Sequence, residues 1–122
     1  MNKQKRWILL EHIPPHNDPI GNHFDLLLED KNGCRSWRLE KDLVLDGLSQ
    51  EAVPTPFHRL EWLSVTTRQV SGGRGLAKKV SGGFFYGDLP IDENEEIQIK
   101  LIFDERMALL EIQNCMCRLR SL

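Results

Sequence analysis

The stretch NHFDLLLEDKNGCRSWRLEK, residues 22–41, carries the clearest hairpin signal in the chain. Two alternating apolar runs flank Asn32-Gly33, the residue pair that favours a tight type I′ turn. Successive side chains of a strand point to opposite faces. One face of the first run carries Phe24, Leu26 and Leu28, and the other carries His23, Asp25, Leu27 and Glu29. The first strand of the hairpin therefore offers one face to a core, while the other face begins with an imidazole and a carboxylate.

Turn signals recur at short intervals along the rest of the chain, and no long amphipathic helical pattern is present, which predicts a mainly β domain. Strands are expected at KRWILLEH, HRLEWLSV, EEIQIKLIF and MALLEIQ, and a further hairpin joins LAKKV to GGFFYGDL through Ser81-Gly82-Gly83. For MALLEIQ the periodicity leaves a helix as the alternative. Six or more short strands in one small chain favour a compact single-domain β-barrel with short flanking helical turns, because closure removes exposed strand edges.

Composition places the chain among globular proteins. Its 122 residues are 40% hydrophobic and 28% charged, which is typical of one domain, residues 1–122, with one core. Its apolar runs are strand-sized, so no segment is expected to cross or bind a membrane. The apolar run before Glu11 is too short for a signal peptide, which predicts a cytoplasmic protein.

Three cysteines fit a reducing compartment. Cys115 and Cys117 are too close in sequence for an ordinary disulfide, and Cys34 has no further partner. We expect reduced structural thiols, with a metal-binding C-x-C pair as the alternative.

Charge is unevenly distributed, although the net charge is only −2. Residues 57–87 hold five basic residues and one acid, whereas residues 88–111 hold eight acids and two basic residues. A mildly acidic chain argues against non-specific coating of nucleic acid. The basic segment forms either a solvated face or a local anion-binding edge, and charge patterning alone leaves both open.

Histidines and a carboxylate recur where strands are predicted to begin or end. His12 ends the first strand, His23 and Asp25 open the second, and His58 begins a later one. Two imidazoles and a carboxylate at adjacent strand ends suit a divalent transition metal with open coordination positions. A lone histidine is more often structural, so the set carries the prediction, and no single member does.

Four segments give the chain a resemblance to a known family: RWILLEH, HFDLLLEDKNGCRSWRLEK, HRLEWL and VSGGRG, in this order between Arg6 and Gly75. Together they resemble the 3′-phosphoesterase domain of bacterial DNA ligase D, and more closely the small stand-alone bacterial relatives of that domain. The resemblance covers well over half of the chain. The C-terminal third matches only in its strand-rich character.

The resemblance implies a compact β-barrel and a metal-dependent activity on nucleic-acid 3′ ends. The expected reaction is removal of a 3′-phosphate or a terminal ribonucleotide in DNA end processing and repair, with a DNA ligase or polymerase as a further partner. Manganese is the expected metal, with zinc as the alternative. By matching position, His12, His23 and Asp25 are the implied metal ligands, and His58 faces the phosphate as hydrogen-bond donor or general acid.

The chain departs from the family pattern at several positions. The family has an arginine where this chain has Leu27, and a Pro-x-Gly-x-Tyr-Gly turn where this chain has SGGRG, so the tyrosine is absent and Arg74 lies nearby. The spacing between the first two histidines is longer, so His16 competes with His12 as a ligand. We favour His12, because it follows the apolar strand directly.

A second arginine offers a replacement for the missing cation. If Asn32-Gly33 is a two-residue loop, Arg38 lies directly opposite Leu27, with Cβ atoms about 5 Å apart. Its planar guanidinium suits phosphate oxygens. We therefore expect Arg38 and Arg74 to form a phosphate clamp, the alternative being an Arg38 that only covers the sheet surface.

Two neighbouring features are left open by the residues alone. The glycines of VSGGRG either let backbone N–H groups approach a phosphate or form an ordinary turn. Trp37 and Trp62 are expected in the core rather than as base-stacking platforms.

The predicted function is therefore a metal-dependent phosphoesterase with His58, Arg38 and Arg74 as catalytic residues. The main rival is an end-binding module that keeps the fold, and the metal with it, but no longer cleaves. The missing arginine and tyrosine favour this rival. A phosphoesterase for small molecules or nucleotides is a third candidate.

Overall fold

A computed structural model describes residues 4–16, 18–19 and 21–122 of the chain. These residues form ten strands and one short 3₁₀ helix. The strands are β1 (Lys5–Ile13), β2 (His23–Asp30), β3 (Gly33–Leu39), β4 (Gln50–Glu51), β5 (Val53–His58), β6 (Thr67–Gln69), β7 (Leu76–Tyr86), β8 (Ile97–Phe103), β9 (Arg106–Gln113) and β10 (Met116–Ser121), and the 3₁₀ helix is Leu60–Ser64. The prediction of a mainly β chain is confirmed. In the described part of the chain, no helix has the length and hydropathy needed to span a membrane.

All ten strands belong to one sheet, and every ladder between them is antiparallel. The order is β4-β10-β9-β8-β7-β1-β2-β3-β5, with β6 pairing β7 outside this path. The two end strands, β4 and β5, are separated in sequence by Ala52 alone, which is fully buried. The sheet therefore curves so that its two end strands approach each other at Ala52. No ladder joins β4 to β5 within the described residues, so the predicted closure into a barrel is not confirmed.

The sheet is covered on both faces over the central part of β1 to β3. The main core cluster collects side chains from β1, β2 and β3 against β8, β9 and β10, including Trp7, Leu26 and Trp37. A second, smaller cluster lies on the opposite face of β1 to β3 and is covered by the 3₁₀ helix; its buried members are Ile8, Leu10, Leu27, Cys34 and Val65. Burial on both sides explains why β1 and β2 contain continuous apolar runs rather than strict alternation.

The β2–β3 hairpin forms as predicted, but its register is different. Asp30 pairs with Gly33, so the loop residues are Lys31 and Asn32, and Arg38 lies opposite Asp25. The prediction that Arg38 faces Leu27 is therefore wrong by two residues. In the observed register Gly33 belongs to β3 and lies against β5, where a Cβ atom would be 3.0 Å from the carbonyl oxygen of His58, so glycine admits the close approach of that strand.

Two other local predictions are corrected. HRLEWLSV does not form a strand: His58 ends β5 instead of beginning a strand, and residues 60–64 are a 3₁₀ helix. In such a helix residues three apart align, and Leu60, Trp62 and Leu63 pack on the second cluster. The expected hairpin at Ser81-Gly82-Gly83 is one continuous strand, β7, with a bulge opposite β1.

MALLEIQ, for which the sequence left a helix or a strand open, forms a strand. MALLEIQ lies within β9, and Asp104 and Glu105 form the turn before it, with φ of 48° and 65°. Positive φ at both loop residues is what a type I′ hairpin requires.

Candidate metal centre

Three predicted ligands come together at one end of the β1–β2 ladder. His12 and His23 are directly opposed across the two strands, and Asp25 follows two residues later on the same face as His23. Directly opposed residues have Cβ atoms about 5 Å apart, which is close enough for two imidazoles to meet. The alternating pattern that the sequence displays therefore places all three side chains together.

The distances among these groups match a shared ion. Nδ1 of His12 lies 3.0 Å from Nε2 of His23, and Nε2 of His23 lies 3.7 Å from a carboxylate oxygen of Asp25. One ligand atom from each residue lies within 4.8 Å of the other two. Donors that each stand about 2.0–2.2 Å from one ion are themselves roughly 3–4 Å apart. The two rings meet edge to face, with centroids 4.6 Å apart.

His12 is oriented by a backbone carbonyl. Its Nε2 lies 2.7 Å from the carbonyl oxygen of Arg74, and a carbonyl can only accept, so Nε2 carries the proton and donates. The lone pair of His12 is consequently on Nδ1, the atom that faces His23. Metal-ligating histidines typically donate their second ring N–H to a carbonyl or carboxylate in this way.

His23 is the most enclosed member of the group, with 7% of its surface exposed. Burial is the largest influence on its pKa and lowers it below the ordinary value; the charges of Arg38 and His12 lower it further, while Asp25 and the Gly21 backbone oppose the change. A neutral ring is the form that ligates a metal. Within the described residues, the buried Nδ1 of His23 has no well-aligned hydrogen-bond partner. Its Nε2 faces the other two candidate ligands.

Arg38 lies closer to the three candidate ligands than the predicted register implied. It is the cross-strand partner of Asp25 on β3, its side chain is exposed, and its charge acts on His23. Leu27, where the resembling family has an arginine, is fully buried in the second cluster. The cation beside the site therefore comes from β3 and not from β2.

Arg74 reaches the site through its backbone. Its guanidinium donates to the carbonyl oxygen of Ser71 at 2.8 Å and to the Ser71 hydroxyl at 3.1 Å, while its own carbonyl accepts from His12. The side chain thus holds the shape of the glycine turn. His16, the competing ligand, is exposed in a turn and is not a member of the three-residue group.

His58 lies on the same face of the sheet, further along the strands. Its Nδ1 lies 3.0 Å from the hydroxyl of Ser36, and its ring meets Trp62 edge to face at 6.0 Å. The Ser36 hydroxyl donates to the carbonyl of Pro56 at 3.0 Å, so its oxygen accepts a hydrogen bond from His58 Nδ1 and another from the Thr55 hydroxyl, 2.5 Å away. Nε2 of His58 is left for other partners. Among the described residues, His58 has no hydrogen bond or ring contact with the three candidate ligands.

Ser36 is a site residue that sequence reasoning missed. It is 3% exposed, and it lies opposite Leu27 on β2 and Thr55 on β5. The available signal was its position two residues before Arg38, which places both side chains on one face of β3. This spacing, about 7 Å along the strand, brings the His58–Ser36 pair next to Arg38.

Neither a protein-family model nor a curated protein matches the chain. Function therefore has to be inferred from the residues and their arrangement. They provide two imidazoles and a carboxylate around one point, an exposed guanidinium beside them, and a third imidazole held by a buried serine.

Proposed function

We propose that the protein is a metal-dependent phosphoesterase acting on nucleic-acid 3′ ends, related to the 3′-phosphoesterase domain of bacterial DNA ligase D. The observation that carries the proposal is the convergence of His12, His23 and Asp25, with Arg38 directly beside them. Three protein ligands that leave coordination positions open are typical of catalytic rather than structural metal sites.

The donor set fits a divalent transition metal. Two imidazoles with one carboxylate suit such an ion; Mn²⁺ is the metal that the resemblance implies, and Zn²⁺ is the alternative. The carbonyl of Arg74 holds His12 with its lone pair on Nδ1, which accepts from Nε2 of His23, so a bound ion would take the place of that proton. Burial favours the neutral form of His23, the form that ligates a metal. A bound ion supplies Lewis acidity toward a phosphoryl oxygen and lowers the pKa of bound water.

The other residues then have defined tasks toward a 3′-phosphate. Arg38 binds phosphate oxygens and neutralises the charge that develops on them. Ser36 fixes the ring of His58 through Nδ1–H, so that Nε2 of the protonated ring is placed to orient the phosphate or to donate a proton to the leaving oxygen. Arg74 acts through its carbonyl on His12 and through its charge at the edge of the site.

The test is metal-dependent release of phosphate from an oligodeoxynucleotide with a 3′-phosphate. We expect His23→Ala to abolish release and metal binding together, whereas His16→Ala, an exposed histidine outside the group, keeps both. Arg38→Ala should lower the rate by about 10²–10³-fold, the usual loss for one charge-stabilising donor. Activity of Arg38→Ala within about twofold of the unmutated protein would remove the proposed clamp.

A second candidate is an end-binding module without turnover. Two observations favour it: Leu27 is buried where the family has its arginine, and the guanidinium of Arg74 is bound to Ser71. The module predicts tight binding of 3′-phosphate ends, no phosphate release with Mn²⁺ or Zn²⁺, and no effect of His58→Ala on binding. Release that disappears in His58→Ala excludes this alternative.

A further inference from the structure

A groove of about 740 Å³ adjoins the candidate metal centre. One wall is the chain after His12, from Ile13 to Pro15, and another is the glycine turn that contains Arg74. Because the carbonyl of Arg74 binds His12, this wall is shared with the metal centre. The volume lies within the range of small-ligand sites.

The third wall combines an aromatic ring with a cation. Trp62 and Arg68 both line the groove, and the guanidinium carbon of Arg68 lies 4.8 Å from the centre of the Trp62 ring. The Arg68 side chain is 45% exposed, so its stacked guanidinium remains accessible. Two arginines and no carboxylate are among the described residues that line the groove. Stacked arginine and aromatic planes are platforms on which bases of unpaired nucleic acid pack.

We propose that this groove binds the nucleotide on the 5′ side of the scissile 3′ end, with its base stacked on the Arg68–Trp62 pair. The inference rests on the proposed function for its orientation, since Arg74, which lines the groove, binds the candidate ligand His12 through its carbonyl. It names the substrate class: a strand end with at least one unpaired base next to the terminal phosphate, rather than a free phosphate monoester.

Intrinsic tryptophan fluorescence can be used to measure binding in this groove. Trp7 and Trp37 are 2% and 4% exposed, whereas Trp62 is only partly buried, so quenching of tryptophan fluorescence by a base reports on Trp62. The ligand is an all-deoxy single strand ending in a 3′-hydroxyl, titrated in the presence of a chelator, so that neither metal nor cleavage is involved. We expect saturable quenching, and the same affinity from the anisotropy of a labelled strand.

The matched variants are Arg68→Ala and Arg59→Ala. Both arginines lie 3.6 Å from the same carboxylate oxygen of Glu61, but Arg59 is outside the groove with its side chain 86% exposed. Arg68→Ala should weaken binding by about 5- to 150-fold, the range for one stacked base, and Arg59→Ala by less than about twofold. A strand with abasic residues at its 3′ end should bind the unmutated protein as weakly as an intact strand binds Arg68→Ala.

Equal affinities of the two variants, or of intact and abasic strands, would overturn the groove assignment. The outcome is separable from that of the phosphoesterase proposal. Base-dependent binding without phosphate release refutes the enzyme but keeps the groove, whereas phosphate release that is unchanged in Arg68→Ala keeps the enzyme but refutes the groove.

Discussion

Replacing Gly75 by alanine is the sharpest test of how the glycine turn supports the metal centre. Gly75 has φ of +101°, and a Cβ atom there would lie 2.1 Å from the carbonyl oxygen of Ile13 and 2.7 Å from the Cα atom of Pro14. Both are backbone atoms of the segment that leaves β1, so a side-chain rotation cannot relieve the collision. The turn must move away from β1 by about 1 Å or more to restore normal contacts.

That displacement breaks a specific contact. Arg74 precedes Gly75, and its carbonyl oxygen lies 2.7 Å from Nε2 of His12, so a shift of about 1 Å exceeds the tolerance of this hydrogen bond. Loss of such a partner to a metal-ligating histidine typically costs about 10–100-fold in metal affinity. In free energy this is about 1.4–2.8 kcal/mol.

Gly73→Ala provides the control in the same turn. Gly73 also has positive φ, +68°, but a Cβ atom there has nothing within 4 Å. Gly73→Ala carries the strain of the left-handed region, about 1–2 kcal/mol, whereas Gly75, at φ +101°, lies outside that region, so Gly75→Ala adds backbone strain as well as the collision. The difference between them therefore reports the displacement of the turn at Gly75, while Gly73→Ala controls for adding a methyl group to the same turn.

The assay is titration of each variant with Mn²⁺ by calorimetry, after circular dichroism has shown that both are folded without metal. We expect affinity to fall by about 10–100-fold in Gly75→Ala and by no more than about threefold in Gly73→Ala. Equal affinities would refute the claim that the Arg74 carbonyl orients a metal ligand.

Two further predictions follow from pKa values away from the site. Burial raises the pKa of Cys34 to about 11 and that of Cys117 to about 12, whereas Cys115 is exposed. At pH 8 a thiol reagent should therefore modify one cysteine rapidly in the native protein and all three in denaturant. Rapid modification of two cysteines in the native protein would contradict this. The backbone N–H and the hydroxyl of Ser121 hold the pKa of Asp46 below its ordinary value. A lowered folded-state pKa contributes stability above the unfolded pKa of about 4 and loses it as pH falls through the folded value. Asp46→Asn should thus lower the denaturation midpoint at pH 7, and its effect should shrink as pH falls below about 4; an effect that stays the same as pH falls would contradict the assignment.

The ligand group is the part of the site that the sequence predicted best. His12 and the His23–Asp25 pair stand at opposite ends of a long sequence gap, but each borders a strongly apolar strand. Pairing two such strands in antiparallel order brings the end of one beside the start of the next. The clustering therefore needs only the strand assignment and the alternation of side chains, which the residue pattern supplies.

The 3₁₀ helix and the Ser36 contact depend on tertiary packing. HRLEWLSV has the composition of a strand, but the second cluster leaves an apolar patch on β1 to β3 that residues 60–64 cover. The partner of Ser36 is His58, 22 residues later in the chain, and the two meet only because β5 pairs with β3. Local propensity contains neither of these long-range contacts.

The geometry of hairpin loops explains both why the predicted partner of Arg38 was wrong and why Arg38 still lies on the predicted face of β3. Moving a two-residue loop by one position changes cross-strand partners by two residues, whereas a shift of one residue would invert the faces. Arg38 consequently keeps the face predicted for it while its partner changes from Leu27 to Asp25. Its guanidinium is thereby placed opposite a candidate ligand and beside the charge that a phosphate would bring. Phosphate binding by Arg38 stays a prediction, which the Arg38→Ala assay tests.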